Sequence, residues 1–321
     1  MKTAPNGIVL IDKEAGITSH DVVRRVRGVF GKGRRFKVGH AGTLDPFATG
    51  LLIVLLGQAT RLSNYIMSGE KVYDAVMRLG IETDTLDATG QTVSTQPVPD
   101  FSDAQIREKA AGAAGFLGDL EQTPPAYSAV KVGGRRAYEL AREGVDVHLR
   151  KRRVTVSVLD IVWVQLPRVA LRIRCSAGTY IRSLAADLGK ALGPGAHLIT
   201  LRRIKSGRFH VKDALNSQKL SQGVRDLLGQ RTLALRDAIP DIREIEVDQG
   251  LARKIRQGYQ PEMNELTNSH GHSTERRIGV GWGGKGFIKL VSQGNLVAVL
   301  TVTHGGGDRH DRVAIDKVFS D

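Results

Sequence analysis

One stretch restricts more than any other how this chain can fold and work: Gly39-His40-Ala41-Gly42-Thr43-Leu44-Asp45-Pro46-Phe47-Ala48-Thr49-Gly50-Leu51-Leu52. Gly39, Gly42 and Gly50 permit tight turns and close approach of backbone or ligand. Asp45 stands among small and apolar residues, with His40 five positions before it. No second acid shares the stretch, and no Cys or further His completes metal-ligand spacing. Two readings of Asp45 stand side by side. Asp followed by Pro has the form of a helix N-cap with proline at the first helical position. A lone carboxylate in an apolar, glycine-rich loop also suits a nucleophile or general base acting on a flat, uncharged group.

Charge narrows the partners. The 321 residues carry 47 Lys plus Arg against 33 Asp plus Glu, a formal +14. A chain this basic is expected to meet a polyanion, with nucleic acid the default. The charge is clustered: Arg24, Arg25, Arg27, Lys32, Arg34, Arg35 and Lys37 lead into the Asp45 stretch. Further groups lie at Lys131, Arg135 and Arg136, at Arg150 to Arg153, and at Arg202, Arg203, Lys205 and Arg208. Aromatics make up only 5%, which argues against a stacking platform of the RRM type. Cys175 is the only thiol, so no disulfide framework exists, as suits a reducing cytoplasm. The apolar run Ile8 to Ile11 is too short for a signal peptide, and Leu51 to Leu56 too short to span a bilayer. A cytoplasmic location is expected.

The periodicities mix strands and helices without a βαβ rhythm. Gly7 to Ile11 reads as a short buried strand. Thr18 or Ser19 caps a helix with Val22, Val23, Val26 and Phe30 on its apolar positions. Lys71 to Gly80 alternates as a strand, with Tyr73, Ala75, Met77 and Leu79 on one side. Helices are expected over Asp103 to Leu117, Arg136 to Arg142 and Ser183 to Leu192, and strands over Val154 to Val164 and Val169 to Cys175. The expected class is α+β with a mixed, mostly antiparallel sheet. Beyond about Pro240 the texture changes. A helix ending in a loop at Arg253 to Gly258 precedes the polar, Gly- and His-rich stretch Asn264 to Gly286. A hairpin over Phe287 to Thr303 then turns at Gln293-Gly294-Asn295. Residues 1–240 and 241–321 are read as two domains, the second a small β module. His270-Gly271-His272 has no further ligand cluster beside it and reads as a loop rather than a metal site.

The Asp45 stretch resembles, over fourteen residues in register, the catalytic motif of the TruB family of tRNA pseudouridine synthases. The likeness extends from about Gly7 through Phe209. Leu10-Ile11-Asp12-Lys13 and Gly16-Ile17-Thr18-Ser19-His20-Asp21-Val22-Val23 resemble the family's opening motif, with Glu14 where proline is usual. Tyr73 matches the strand tyrosine that stacks on the target base. Gly80 to Gly90 follows a family turn pattern, and its Asp84 and Asp87 lack the spacing of an EF-hand. In Cys175-Ser176-Ala177-Gly178-Thr179-Tyr180-Ile181-Arg182-Ser183-Leu184, Arg182 resembles the arginine that orients the catalytic aspartate, and Tyr180 a wall of the uracil pocket. Leu201 matches another wall.

The resemblance implies a pseudouridine synthase fold with a diverged PUA-like RNA-binding β barrel, and isomerisation of the TΨC-loop uridine (position 55) of tRNA. Asp45 would be catalytic; among the substrate-binding residues Tyr73, Tyr180 and Leu201 would hold the flipped uracil, and His40 would insert where the base was or hold the displaced stack; Lys13, Arg202 and Arg203 are phosphate candidates. No cofactor and no metal are expected, since the reaction is an isomerisation. The expected partner is the TΨC stem-loop, with no membrane, no required protein partner and a monomeric state. A non-catalytic RNA-binding protein or tRNA folding chaperone is the alternative. A guide-RNA-dependent synthase is a third reading, which the bacterial-style spacing from Gly178 to Leu201 disfavours.

Overall fold

The computed structural model describes residues 5–30, 36–112, 116–220, 224–267, 286–303 and 312–320. Its main body is a ten-stranded mixed sheet. Eight strands form a continuous path: Leu215–Asn216, Gly7–Lys13, Thr49–Leu56, Ala196–Ser206, Lys71–Leu79, Arg168–Cys175, Arg152–Gln165 and Gly118–Gln122. Val38–Ala41 pairs beside Thr49–Leu56, and Phe209–His210 beside Ala196–Ser206. Two contacts are parallel, Gly7–Lys13 with Leu215–Asn216 and Ala196–Ser206 with Thr49–Leu56; the others are antiparallel. The expected α+β class with a mixed, mostly antiparallel sheet is what the chain adopts.

Alternation explains why an unbroken aliphatic run is needed at Leu51 to Leu56. Successive strand residues face opposite sides, and this strand is buried on both. Leu52, Val54 and Leu56 enter one hydrophobic cluster, together with Val9, Ile11 and the helix Ser19–Val29. Leu51, Ile53 and Leu55 enter another with Ile8 and Leu10. The helix Ile181–Leu192 packs Ile181, Leu184, Ala185, Leu188 and Leu192 into the first cluster, a helical spacing that matches one buried stripe. It stops at Gly193, whose φ of 116° suits glycine.

Element ends moved by a few residues, each for a local reason. The first strand runs on to Lys13 because Asp12 and Lys13 still pair with Leu51 and Gly50. Thr18 caps the first helix in a reciprocal capping box with Asp21. Glu14, standing where proline was expected, uses the N–H that proline lacks: it donates to Ser217 Oγ at 3.0 Å. The helix at Asp103 is described to Gly112. The stretch from Asn264 begins inside a short helix, Met263–Thr267, while residues 268–285, His270 and His272 with them, lie outside the described residues.

A separate four-stranded sheet closes the chain in the order Arg243–Glu246, Gly286–Ser292, Asn295–Thr303 and Arg312–Val318. Its hairpin turns on Gln293 and Gly294, both at positive φ (51° and 78°), as a type I′ turn requires. This sheet does not hang free. Leu296, Val299 and Phe319 lie in the same buried cluster as Ile8, Leu51 and Ile53 of the main sheet. Arg61 stacks over the Phe319 ring and donates to Val318 O, the Tyr65 hydroxyl bonds Asp316, and buried Lys289 donates to Arg236 O. The two sheets share a core.

Candidate active site

Asp45 does not cap a helix. Residues 42–48 form a loop between the strands Val38–Ala41 and Thr49–Leu56, and Ala48 N–H closes a turn onto Asp45 O at 3.1 Å. The capping reading therefore falls: the chain re-enters the sheet at Thr49 before a helical turn can form. The loop is pinned from beneath by the opening motif. Ser19 Oγ accepts from Leu44 N at 2.8 Å and donates to Leu44 O at 3.0 Å. Gly16 N–H donates to Pro46 O at 2.8 Å. Gly50 has φ 98°, and a Cβ there would stand 2.3 Å from Arg203 O, so only glycine fits.

The loop forms one wall of a recess of about 390 Å³. Asp45, Tyr73, Tyr180, Arg182 and Leu201, far apart in sequence, all line it. Tyr73 and Leu201 are supplied by adjacent strands, and the turn after Cys175 supplies Tyr180. Gln122 holds that turn by two bonds, accepting from Tyr180 N (2.7 Å) and donating to Tyr180 O (3.0 Å). The Arg152 guanidinium lies 5.2 Å from the Tyr180 ring centroid.

Arg182, in the first turn of its helix, is 3% exposed. Its Nη1 and Nη2 donate to Thr85 O (2.8 Å) and Tyr127 O (2.9 Å), which fixes the guanidinium plane. Nε is left facing Asp45 Oδ2 at 2.9 Å. The N–H does not point along that line, so the contact is a close ion pair rather than an aligned hydrogen bond. Burial pushes the Asp45 carboxyl above its ordinary range, and the Arg182 cation opposes that shift. A third of the side chain remains open to the recess (34%). The group is thus a desolvated carboxylate paired with a fixed cation and set at the edge of a cavity walled by Tyr73, Tyr180 and Leu201.

Other expected site residues fall elsewhere. His40 lies on the strand Val38–Ala41, outside the recess lining. Its Nδ1 is buried without a hydrogen-bond partner among the described residues, and burial pushes its pKa down, toward a neutral ring. Lys13 and Arg203, expected at phosphates, are not at the surface. Lys13 is fully buried, donates to Glu14 O, Ile17 O and Pro46 O, and is lowered to about 8 by desolvation. Arg203 is 2% exposed and donates to Leu51 O and Gly42 O. Both brace the Asp45 loop, because its carbonyls need donors that water cannot reach. Arg202 reaches solvent, its side chain 40% exposed, and makes a two-pronged pair with Asp12 (2.9 and 2.7 Å).

Asp87, read from the sequence only as part of a turn, stands beside the site. It is 4% exposed, accepts from Thr85 Oγ1, Thr89 N and Thr89 Oγ1, and lies 3.5 Å from Arg182 Nη1. The alternation Thr85-x-Asp87-x-Thr89 is the signal that marks a carboxylate satisfied locally. Lys71 was missed: buried in the recess lining, it donates to Met67 O and Gly69 O and is lowered to about 8 by desolvation. A larger groove of about 550 Å³ opens on the sheet face carrying Asp74 and Arg172. Those two pair with each other at 2.8 and 3.0 Å, so the groove's carboxylate is already engaged by a two-pronged bond. No group of His, Cys, Asp and Glu among the described residues has the arrangement of a metal site, and no described helix is long and apolar enough to cross a membrane.

Known proteins resemble this chain over most of its length. The family model "TruB family pseudouridylate synthase (N terminal domain)" matches residues 27–181, and "tRNA pseudouridylate synthase B C-terminal domain" matches 182–243. The seam between the two matches falls inside the main body, since Ala196–Ser206 is a central strand of the ten. A tRNA pseudouridine synthase B of Opitutus terrae is 44% identical over 237 residues, which cover 74% of this chain and 96% of that protein. One of Syntrophus aciditrophicus is 39% identical over 295 residues, 92% of this chain and 90% of that protein. Among solved structures, a chain from a Cbf5-Nop10-Gar1 complex superposes with a TM-score of 0.71 at 24% identity, over 98% of this chain and 85% of the other. That likeness speaks for the fold.

Proposed function

Because the chain belongs to the TruB family of pseudouridylate synthases, we propose that it isomerises the TΨC-loop uridine of tRNA to pseudouridine. The observation that carries this reading is the ion pair of Asp45 with Arg182 at the edge of a recess walled by Tyr73, Tyr180 and Leu201. A uridine inside folded RNA must leave its stack to be reached, at a cost of about a few kcal/mol. The recess takes the flipped base, with the aromatic walls against its flat faces. Asp45 then attacks the sugar or removes a sugar proton. The glycosidic bond breaks, the base turns, and carbon C5 replaces the ring nitrogen. The C5 proton passes to solvent and the freed ring nitrogen takes one up, so atoms and electrons balance and the chemistry calls for no redox partner or group donor. Arg182 keeps Asp45 ionised and aimed.

Residues 1–240 act as the catalytic domain, and residues 241–321 as a PUA-like module that adds RNA affinity. Arg202 and the exposed basic groups at Lys131 and Arg136 track phosphates. His40 serves the displaced stack rather than the base itself. The protein works as a monomer in the cytoplasm, without a protein partner. The test is release of tritium from uracil C5 of unmodified tRNA, followed by mapping of the pseudouridine. Release at the TΨC-loop position that disappears in Asp45→Asn supports the reading. Tight tRNA binding with no release by the wild type would replace it with a non-catalytic RNA chaperone.

A further inference from the structure

We propose that Arg203 is a positioning residue for the reaction, tying both limbs of the Asp45 loop to the strand that faces Tyr73. The inference rests on the reading of Asp45 as the reacting group. Arg203 sits on the strand Ala196–Ser206 between two partners of the site. It registers with Gly50 on the parallel side and with Tyr73 on the antiparallel side. Its guanidinium is buried, yet it belongs to the recess lining.

Each arm of the guanidinium holds a different part of the site. Nε donates to Leu51 O at 2.7 Å, after the loop; Nη2 donates to Gly42 O at 2.9 Å, before it. Tyr73 stands directly opposite Arg203 on the neighbouring strand, and both line the recess. One rigid, planar fork thus fixes two points on either side of Asp45, which a lysine with a single ammonium cannot reproduce. The two glycines of the loop are shaped to it. A Cβ on Gly42 would meet Nη1 at 3.4 Å, and one on Gly50 would collide with the Arg203 backbone. The ion-pair partner of Asp45 is Arg182. Arg203 therefore acts on where the carboxylate lies and not on its ionisation.

This role separates cleanly from a phosphate contact. Removing a phosphate ligand weakens tRNA binding and flattens the plot of log affinity against log salt by nearly one unit. Removing a positioning residue leaves that slope alone and lowers the chemical step, about 100-fold for a displacement near 1 Å. The experiment uses the full chain with Arg203→Met and Arg203→Lys, each checked for folding by thermal melt. Single-turnover tritium release at saturating tRNA, its pH profile, and tRNA affinity across a salt series are then measured. The expected result is a loss of about 100-fold in single-turnover rate for Arg203→Met, partial rescue in Arg203→Lys, an unmoved acid limb and an unchanged salt slope.

A flattened slope with the saturating rate retained would make Arg203 a phosphate ligand and overturn the proposal. Wild-type rates in both folded variants would overturn it too. So would loss of folding in both, since the residue would then serve the fold at large. If wild-type protein itself releases no tritium, the functional reading fails first, and the two failures are told apart by that control.

Discussion

Replacing Arg182 by Met removes the one cation in contact with Asp45 and should move the acid limb of activity to higher pH. The sign follows from burial. Asp45 already stands above the ordinary carboxylate range, and catalysis needs its anion. Activity is present above its folded pKa and lost as pH falls through it. Arg182 opposes the shift, so its removal raises the pKa further, more so because Asp87 also raises it by charge repulsion. Two unit charges about 4 Å apart interact by about 4 kcal/mol at an effective dielectric near 20. Asp45 is 34% exposed, and solvent screening takes about half of this, leaving about 2 kcal/mol, enough for a clear upward move of the acid limb. Single-turnover tritium release against pH, over the range where the variant melts cooperatively, measures it. Breaking a buried pair costs about 3–5 kcal/mol of stability, so Arg182→Lys, which keeps the charge, serves as the folded companion with a smaller shift. An acid limb that stays in place or moves down in a folded Arg182→Met would refute the assignment of Arg182 as the group that keeps Asp45 ionised.

Asp45→Asn should abolish turnover while melting temperature and tRNA affinity stay near wild type; activity in a variant proved by mass to be free of deamidation would end the catalytic assignment. Lys13 and Lys71 are both lowered from 10.5 to about 8, so between about 8 and 10.5 the unfolded chain binds more protons and stability should rise with pH. Denaturant titrations of Lys13→Met and Lys71→Met across that window should each show a shallower rise than wild type. Phe319→Ala empties a site in the core shared by the two sheets and should cost about 3–5 kcal/mol; chemical denaturation reads it, and a loss below about 1 kcal/mol would mean that the sheets pack loosely. By the same packing, a chain cut near Pro240 should aggregate or melt early, because it exposes Ile8, Leu51 and Ile53.

How far the sequence discloses this site depends on the range over which each residue is satisfied. Tyr73 announces its face because strand alternation is local, and the burial of Lys71–Leu79 follows that period at nearly every step. Arg182 and Tyr180 sit in a contiguous motif at a strand-to-helix turn, so resemblance alone brings them into view. Asp45-Pro46 carries a local cap signature, which loses to the sheet pairing of Thr49–Leu56 a few residues later. Lys13 and Arg203 mislead for the opposite reason. A lysine in a turn or an arginine in a basic run reads as solvated, and their partners Pro46, Gly42 and Leu51 lie 33 to 161 residues away. No local pattern encodes carbonyls that become orphaned only when a distant loop folds over them. The shared core was hidden likewise. The change of texture after Pro240 suggests a separable module, whereas the apolar side of Asn295–Thr303 closes on the oldest part of the chain.

That closure sets a timetable for synthesis. Phe319 fills the cluster begun by Ile8 and Leu10, and it leaves the ribosome roughly three hundred residues later, about 15 to 60 s at ordinary elongation rates. Until then the first two long strands present Ile8, Leu10, Leu51, Ile53 and Leu55 without their final cover. The nascent chain spends that interval as a client for whatever shields apolar surface at the tunnel exit. A stalled or prematurely terminated message should consequently yield aggregate rather than a smaller working enzyme.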